Sequence, residues 1–127
     1  MEITRVGVIG SGIMGAGIAQ VAAQAGYEVV LRSRQQATAD ATLASLEKGL
    51  NRLVEKGRLE EADRDATLGR ITATSILKEL ADCDLVVESV VEDLATKKAL
   101  FVELNQICRD DAILATNTST LAVIEMA

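Results

Sequence analysis

Residues 5–19 read RVGVIGSGIMGAGIA, an apolar run that meets a Gly-x-Gly-x-x-Gly turn and continues into a helix-forming segment. In this order a strand delivers the chain to a tight turn at Gly10. Gly12 has no Cβ, so the backbone can approach a phosphate, and Gly15 lets the following helix pack close to the strand. The free N–H groups and positive end of that helix then face the anion. The segment predicts a dinucleotide-binding turn, and a glycine turn that only packs a helix on a sheet is the alternative.

The composition indicates one globular domain of 127 residues, 49% of them hydrophobic. Apolar runs are short and no secretory pattern is present, so we expect a cytoplasmic protein that does not enter a membrane. A net charge of −6 and only two aromatic residues, Tyr27 and Phe101, argue against nucleic-acid binding. The absence of histidine and the wide separation of Cys83 and Cys108 predict no metal site and two buried thiols.

The hydrophobic pattern predicts strands that alternate with helices. Strands are expected at 2–9, 28–31, 70–73, 84–87 and 112–115, and helices at 12–25, at 36–55, at 60–68, from near Asp93, and at 121–126. The fold class is therefore α/β, a Rossmann-like doubly wound parallel sheet with a helical hairpin inserted after strand two at about 36–68. Spacing alone does not decide whether this hairpin is a substrate arm or a packing element.

The end of strand two indicates which coenzyme is used. In NAD-binding sheets a carboxylate at this point accepts hydrogen bonds from the adenosine ribose. Here Arg32, Ser33 and Arg34 stand there instead. A carboxylate would repel a 2′-phosphate, whereas arginine can pair with the phosphate and stack on adenine. The residues favour NADP and leave NAD possible, and two solvated arginines on a turn are the alternative.

Two later motifs carry a family resemblance. Residues 82–101 read DCDLVVESVVEDLATKKALF, and residues 113–121 read ILATNTSTL. With the glycine turn, they resemble the N-terminal half of bacterial 3-hydroxyacyl-CoA dehydrogenases, most closely the 3-hydroxybutyryl-CoA dehydrogenases, over essentially the whole chain. The resemblance implies hydride transfer that interconverts 3-hydroxyacyl-CoA and 3-ketoacyl-CoA. It also implies a nicotinamide coenzyme, an acyl-CoA substrate and a homodimeric full-length enzyme.

The resemblance assigns roles to individual positions. Ser119 matches the serine that bonds the 3-oxygen of the substrate, so it is an implied catalytic and substrate-binding residue, and Asn117 beside it is a second catalytic candidate. Lys56 matches a lysine on the hairpin that contacts CoA. Ser33 replaces the usual ribose-binding Asp, which supports NADP. The predicted coenzyme-binding residues include Ser33 and Arg34 at the end of strand two. The full set is Gly10, Ser11, Gly12, Ile13, Met14, Gly15, Ser33, Arg34, Glu92, Lys97 and Asn117.

The resemblance also implies a longer parent enzyme. Family members have a catalytic His with a Glu partner, and then a helical domain, beyond the segment matched here. We therefore expect a truncated chain, an incomplete coenzyme-binding domain over 1–127 that lacks the C-terminal helical domain. Such a chain should bind coenzyme and show little catalysis alone, because proton transfer needs a base with a pKa near the working pH. Its unfinished sheet should promote self-association.

Two other classes of protein fit the glycine turn. β-Hydroxyacid dehydrogenases open with a similar turn and act on small free acids, but the motifs at 82–101 and 113–121 and the hairpin argue against them. A nucleotide-sensing module without enzymatic activity would need no serine directed at a substrate oxygen and no acyl-CoA arm. Binding of a CoA ester would discriminate the main interpretation from both.

Overall fold

The fold is a five-stranded parallel sheet in the order β3-β2-β1-β4-β5. The computed structural model describes residues 3–10, 12–89 and 94–116, without the side chains of residues 13, 94–97 and 116. The strands are β1 (Arg5–Ile9), β2 (Glu28–Arg32), β3 (Ile71–Thr74), β4 (Leu85–Glu88) and β5 (Ile113–Thr116). The helices are α1 (Ile13–Gln24), α2 (Gln36–Glu55), α3 (Glu61–Gly69) and α4 (Leu94–Ile107), with a 3₁₀ turn at Leu77–Leu80. The predicted doubly wound parallel sheet is confirmed.

The strand boundaries differ from the hydrophobic pattern by small amounts. The first strand starts at Arg5, where its pairing with β2 begins, and not at residue 2. Each of the other predicted strands ends one residue too early. In β2 and β4 the missed residue is an ionisable one, Arg32 or Glu88, and both of these pair with Ile9. Backbone hydrogen bonding, and not hydropathy, decides where a strand ends. The predicted helix at 121–126 and the predicted cap at Asp93 lie outside the described residues.

Helices cover both faces of the sheet and create two apolar clusters. The cluster under α1 and α2 is formed by Val6, Val8, Ala19, Ala23, Val29, Leu31, Leu46 and Ile71. The cluster on the other face is formed by Ile9, Val30, Leu77, Leu80, Cys83, Val86, Leu104 and Cys108. Both cysteines are free and buried, as expected, and burial raises the pKa of the Cys83 thiol to about 12.

The predicted hairpin at about 36–68 takes part in the core. Helix α2 buries four side chains, Ala39, Thr42, Leu46 and Leu50, and packs on β3, while α3 packs on α1 and α2. The first half of the hairpin is therefore also the crossover helix between β2 and β3, and a contact between the hairpin and CoA stays a prediction. None of the described helices is long and apolar enough to cross a membrane.

One carboxylate joins the beginnings of β1 and β4 at the N-terminal edge of the sheet. Asp84 is buried, and its Oδ2 accepts the backbone N–H of Thr4 at 2.9 Å and that of Arg5 at 3.0 Å. The Thr4 hydroxyl donates to the same oxygen at 3.1 Å, and Arg109 donates to Oδ1. These bonds lower the pKa of Asp84, the Thr4 and Arg5 N–H groups most of all. A sequence pattern of apolar residues gives no sign of this contact.

An apolar groove remains open along α1 beside β4. Met14, Ile18 and Val21 line it from the helix, and Leu85 and Val87 line it from the strand. Val21 is 68% exposed and Met14 is 58% exposed. The self-association expected from the unfinished sheet stays a prediction.

Candidate functional site

The glycine turn lies at the carboxyl end of β1, beside the carboxyl end of β2. Gly10 has φ +119°, a backbone conformation that favours glycine, and its N–H donates to the carbonyl oxygen of Arg32 at 3.0 Å. Gly12 caps α1, whose first turn carries no acidic residue, and the Gly12 carbonyl accepts the Ala16 N–H at 2.9 Å. The positive end of α1 therefore points at the crevice where parallel sheets bind ligands.

The spaces beside Gly15 and Gly12 differ in a way that suits a diphosphate. A Cβ added to Gly15 would lie 2.1 Å from the carbonyl oxygen of Gly10, so the helix rests directly on the turn. A Cβ added to Gly12 would meet no described atom within 4 Å. The turn is thus tight on the strand side and open at Gly12, so the residues present fit the diphosphate of a dinucleotide, as the sequence predicts.

The residues that end β2 form a positively charged border beside the glycine turn. Ser33 is buried and its N–H donates to the carbonyl oxygen of Thr74 at 3.0 Å, while Arg34 is exposed. Nε of Arg32 donates to the carbonyl oxygen of Ser75 at 3.3 Å. Burial lowers the pKa of Arg32. The charge of Glu103 opposes this shift, and the charge of Arg34 adds to it. Arg32 ends β2 and Arg34 follows two residues later, so positive charge stands at this edge, where it can attract an anion.

Glu88 is a buried carboxylate at the carboxyl edge of the sheet, and it is not among the predicted site residues. It ends β4, pairs with Ile9 in the sheet register and has no solvent exposure. The N–H of Ser89 donates to the carbonyl oxygen of Ile9 at 2.8 Å, which holds this strand end beside the glycine turn. The signal was present in the sequence, because a carboxylate directly follows the apolar run at 85–87. A buried ionisable group in a ligand crevice is a candidate functional residue.

Lys56 lies far from the glycine turn, and several other predicted site residues are not described. Lys56 caps the C-terminus of α2, a helix of 20 residues. It is therefore roughly 30 Å along that helix from the end of β2. Lys97 lies in α4, and its side chain is not described. Ser11, Glu92, Asn117 and Ser119 lie outside the described residues.

Comparisons with known proteins agree with this geometry. Residues 5–127 match the sequence model of the family described as "3-hydroxyacyl-CoA dehydrogenase, NAD binding domain". The chain is 44% identical over 123 residues to 3-hydroxybutyryl-CoA dehydrogenase of Clostridioides difficile, covering 97% of this chain and 44% of that protein. It is 47% identical to a probable 3-hydroxybutyryl-CoA dehydrogenase of Deinococcus radiodurans, with the same coverage of both proteins.

A solved structure extends the likeness from sequence to shape. The crystal structure of 3-hydroxybutyryl-CoA dehydrogenase from Escherichia coli K12 superposes with a TM-score of 0.91 at 39% identity, over 94% of this chain and 25% of that chain. This chain thus spans less than half the length of these relatives, and what it shares with them is the region that holds the glycine turn.

Proposed function

Because the chain belongs to the 3-hydroxyacyl-CoA dehydrogenase family, whose NAD-binding domain it matches, we propose that it is the coenzyme-binding part of an enzyme that interconverts 3-hydroxybutyryl-CoA and the corresponding 3-ketoacyl-CoA, and acts likewise on related thioesters. The observation that carries the proposal is the glycine turn, which is tied to the end of β2 and open at Gly12. A bound nicotinamide coenzyme would supply the hydride chemistry at C3 of the acyl group.

The residues of this chain divide the remaining work. The N–H groups at the start of α1 bind the diphosphate, and the N–H of Ser89 holds the end of β4 beside the glycine turn. Ser119 and Asn117 orient the 3-oxygen and stabilise charge that develops on it. The hydroxyl proton must pass to a base whose pKa lies near the working pH. Histidine suits this role, and these 127 residues contain none. We therefore propose that this chain binds coenzyme without completing proton transfer.

A turnover assay tests this division of work. The chain of 127 residues, saturated with NADPH and given acetoacetyl-CoA, should consume coenzyme at less than a thousandth of the roughly 10 s⁻¹ that is ordinary for enzymes. Quenching or enhancement of NADPH fluorescence in the same sample controls for binding. Turnover near the ordinary rate would show that a group other than histidine accepts the proton.

We propose NADP as the preferred coenzyme, with NAD as the alternative. The family description names NAD. In this chain, however, Ser33 replaces the ribose-binding carboxylate that would favour NAD. Ser33 is buried and lies between Arg32 and Arg34 in the chain, and these residues suit a dianionic 2′-phosphate better than a ribose hydroxyl. Titration with NADPH and NADH separately measures the preference.

Replacing Ser33 by Asp should reverse that preference. The new carboxylate repels the 2′-phosphate, so the dissociation constant for NADPH should rise about 100-fold while that for NADH stays constant or falls. Ser45→Asp is the matched control, because it adds the same charge at an exposed position on α2. If Ser33→Asp and Ser45→Asp bind NADPH equally well, Ser33 does not select the coenzyme.

The wider assignments rest on family relatives that are named for 3-hydroxybutyryl-CoA. We propose that the whole enzyme is a cytoplasmic homodimer that acts on acyl-CoA, and that the hairpin with Lys56 contacts the CoA moiety. An exposed lysine at the hairpin turn suits a CoA phosphate. The net charge of −6 opposes nucleic acid as a partner.

A further inference from the structure

The three residues that connect β2 to α2, together with Gln36 at the start of α2, are anchored at both ends to the end of β3. At the first end, the N–H of Ser33 donates to the carbonyl oxygen of Thr74 at 3.0 Å. At the second end, Oε1 of Gln36 accepts the N–H of Ser75 at 3.1 Å, and its Nε2 donates to the carbonyl oxygen of Ala73 at 3.1 Å. Residues 33–36 therefore form a short bridge with two fixed ends.

The amide of Gln36 is held in one orientation. Its Nε2 also donates to Oδ1 of Asp40 at 2.9 Å, so two acceptors lie on its NH₂ side and one donor on its oxygen side. An inverted amide would lose all three bonds, which makes the assignment of oxygen and nitrogen unambiguous. The same Ser75 that Gln36 holds accepts the bond from Nε of Arg32. One side chain thus orders the backbone that carries Arg34 and supports the carbonyl that orients Arg32.

We propose that Gln36 is a positioning residue for the 2′-phosphate of the coenzyme, an inference that rests on the NADP preference proposed above. Arg34 has an exposed side chain on the bridge, so its guanidinium is accessible to a ligand. An arginine whose backbone is already ordered loses less conformational freedom when it binds a phosphate, so its affinity is higher. Gln36 acts through Ser33, Arg32 and Arg34 and does not itself contact the coenzyme.

The test compares two small ligands that differ by one phosphate. Adenosine 2′,5′-bisphosphate carries the 2′-phosphate and AMP lacks it, so their ratio of dissociation constants isolates the 2′ contact. In Gln36→Met, which keeps the length of the side chain and removes its three bonds, the bisphosphate should bind about fivefold more weakly while AMP changes less than about twofold. Retained AMP binding also shows that the variant is folded.

Gln35→Met is the matched control. Gln35 is the neighbouring exposed residue, and its side chain makes no capping hydrogen bond to α2. It should leave both dissociation constants unchanged. Equal weakening of both ligands in Gln36→Met, or no weakening of either, would overturn the positioning role while the NADP preference of the unaltered chain stands. If the unaltered chain binds AMP as tightly as the bisphosphate, the NADP preference is wrong and the role of Gln36 is overturned with it.

Discussion

Replacing Gly15 by Ala is expected to abolish coenzyme binding and to lower the free energy of unfolding by about 2–3 kcal/mol. The added Cβ would lie 2.1 Å from the carbonyl oxygen of Gly10 and 2.9 Å from its carbonyl carbon. Both are backbone atoms, so the clash cannot be relieved by a side-chain rotation and must displace the turn or the helix. Titration with NADPH and chemical unfolding measure the two effects.

Two other glycines of the same segment separate the effects. Gly17 is an exposed residue in the middle of α1, and a Cβ added there would have no described atom within 4 Å. Gly17→Ala is therefore the first comparison. It should raise the free energy of unfolding by about 0.5–1 kcal/mol and leave binding unchanged. Gly12→Ala should lower the free energy of unfolding by no more than about 1 kcal/mol, because alanine is a poorer N-cap than glycine. It should weaken binding, because its Cβ enters the space proposed for the diphosphate. NADPH binding by Gly15→Ala at the affinity of the unaltered chain would show that this turn does not bind the diphosphate.

Asp84→Asn is expected to give the largest loss of stability among single polar substitutions in the described part of the chain. Asp84 accepts the N–H groups of Thr4 and Arg5 at one oxygen and Arg109 at the other. An asparagine has one acceptor oxygen, so its NH₂ group must face either the two N–H donors or the guanidinium. Donors left unsatisfied in a buried position cost free energy, and the melting temperature should fall by about 5 °C or more.

The same carboxylate makes stability depend on pH in a defined direction. Its bonds lower the pKa of Asp84 in the folded protein. The stabilisation is therefore fully present above the unfolded pKa of about 3.9, and it is lost as the pH falls through the folded value. The melting temperature of the unaltered chain should fall more steeply between about pH 5 and pH 2 than that of Asp84→Asn.

Asp82→Asn is the control for both measurements. Asp82 faces Arg5 at 3.9 Å with a side chain that is 84% exposed, and exposed ion pairs contribute little to stability. It should melt within about 2 °C of the unaltered chain at neutral pH. If Asp84→Asn and Asp82→Asn melt at the same temperature, the buried contact between β1 and β4 does not stabilise the fold.

Local features of the sequence were sufficient for the elements with strong periodicity. The bounds of α2 agree with the prediction of 36–55, because apolar residues recur along five turns and leave the ends well defined. The glycine turn was equally predictable, since its order of strand, turn and helix is contained in residues 5–19. Strand ends were predicted less well, because the pairing of Arg32 and Glu88 with Ile9 is made by residues far apart in the chain.

The sequence by itself determined the alternation of strands and helices, the place of the coenzyme turn and the substitution of Ser33 at the end of β2. Those properties depend on periodicity and on residue types at short spacing, which are visible along the chain. Only the tertiary structure decided that Gln36 reaches Ser75, that Asp84 accepts the N–H groups of Thr4 and Arg5, and that Glu88 is buried beside the turn. These contacts join residues 39 to 80 positions apart or depend on strand order, and hydrogen bonds between distant polar groups leave no periodic pattern in a sequence.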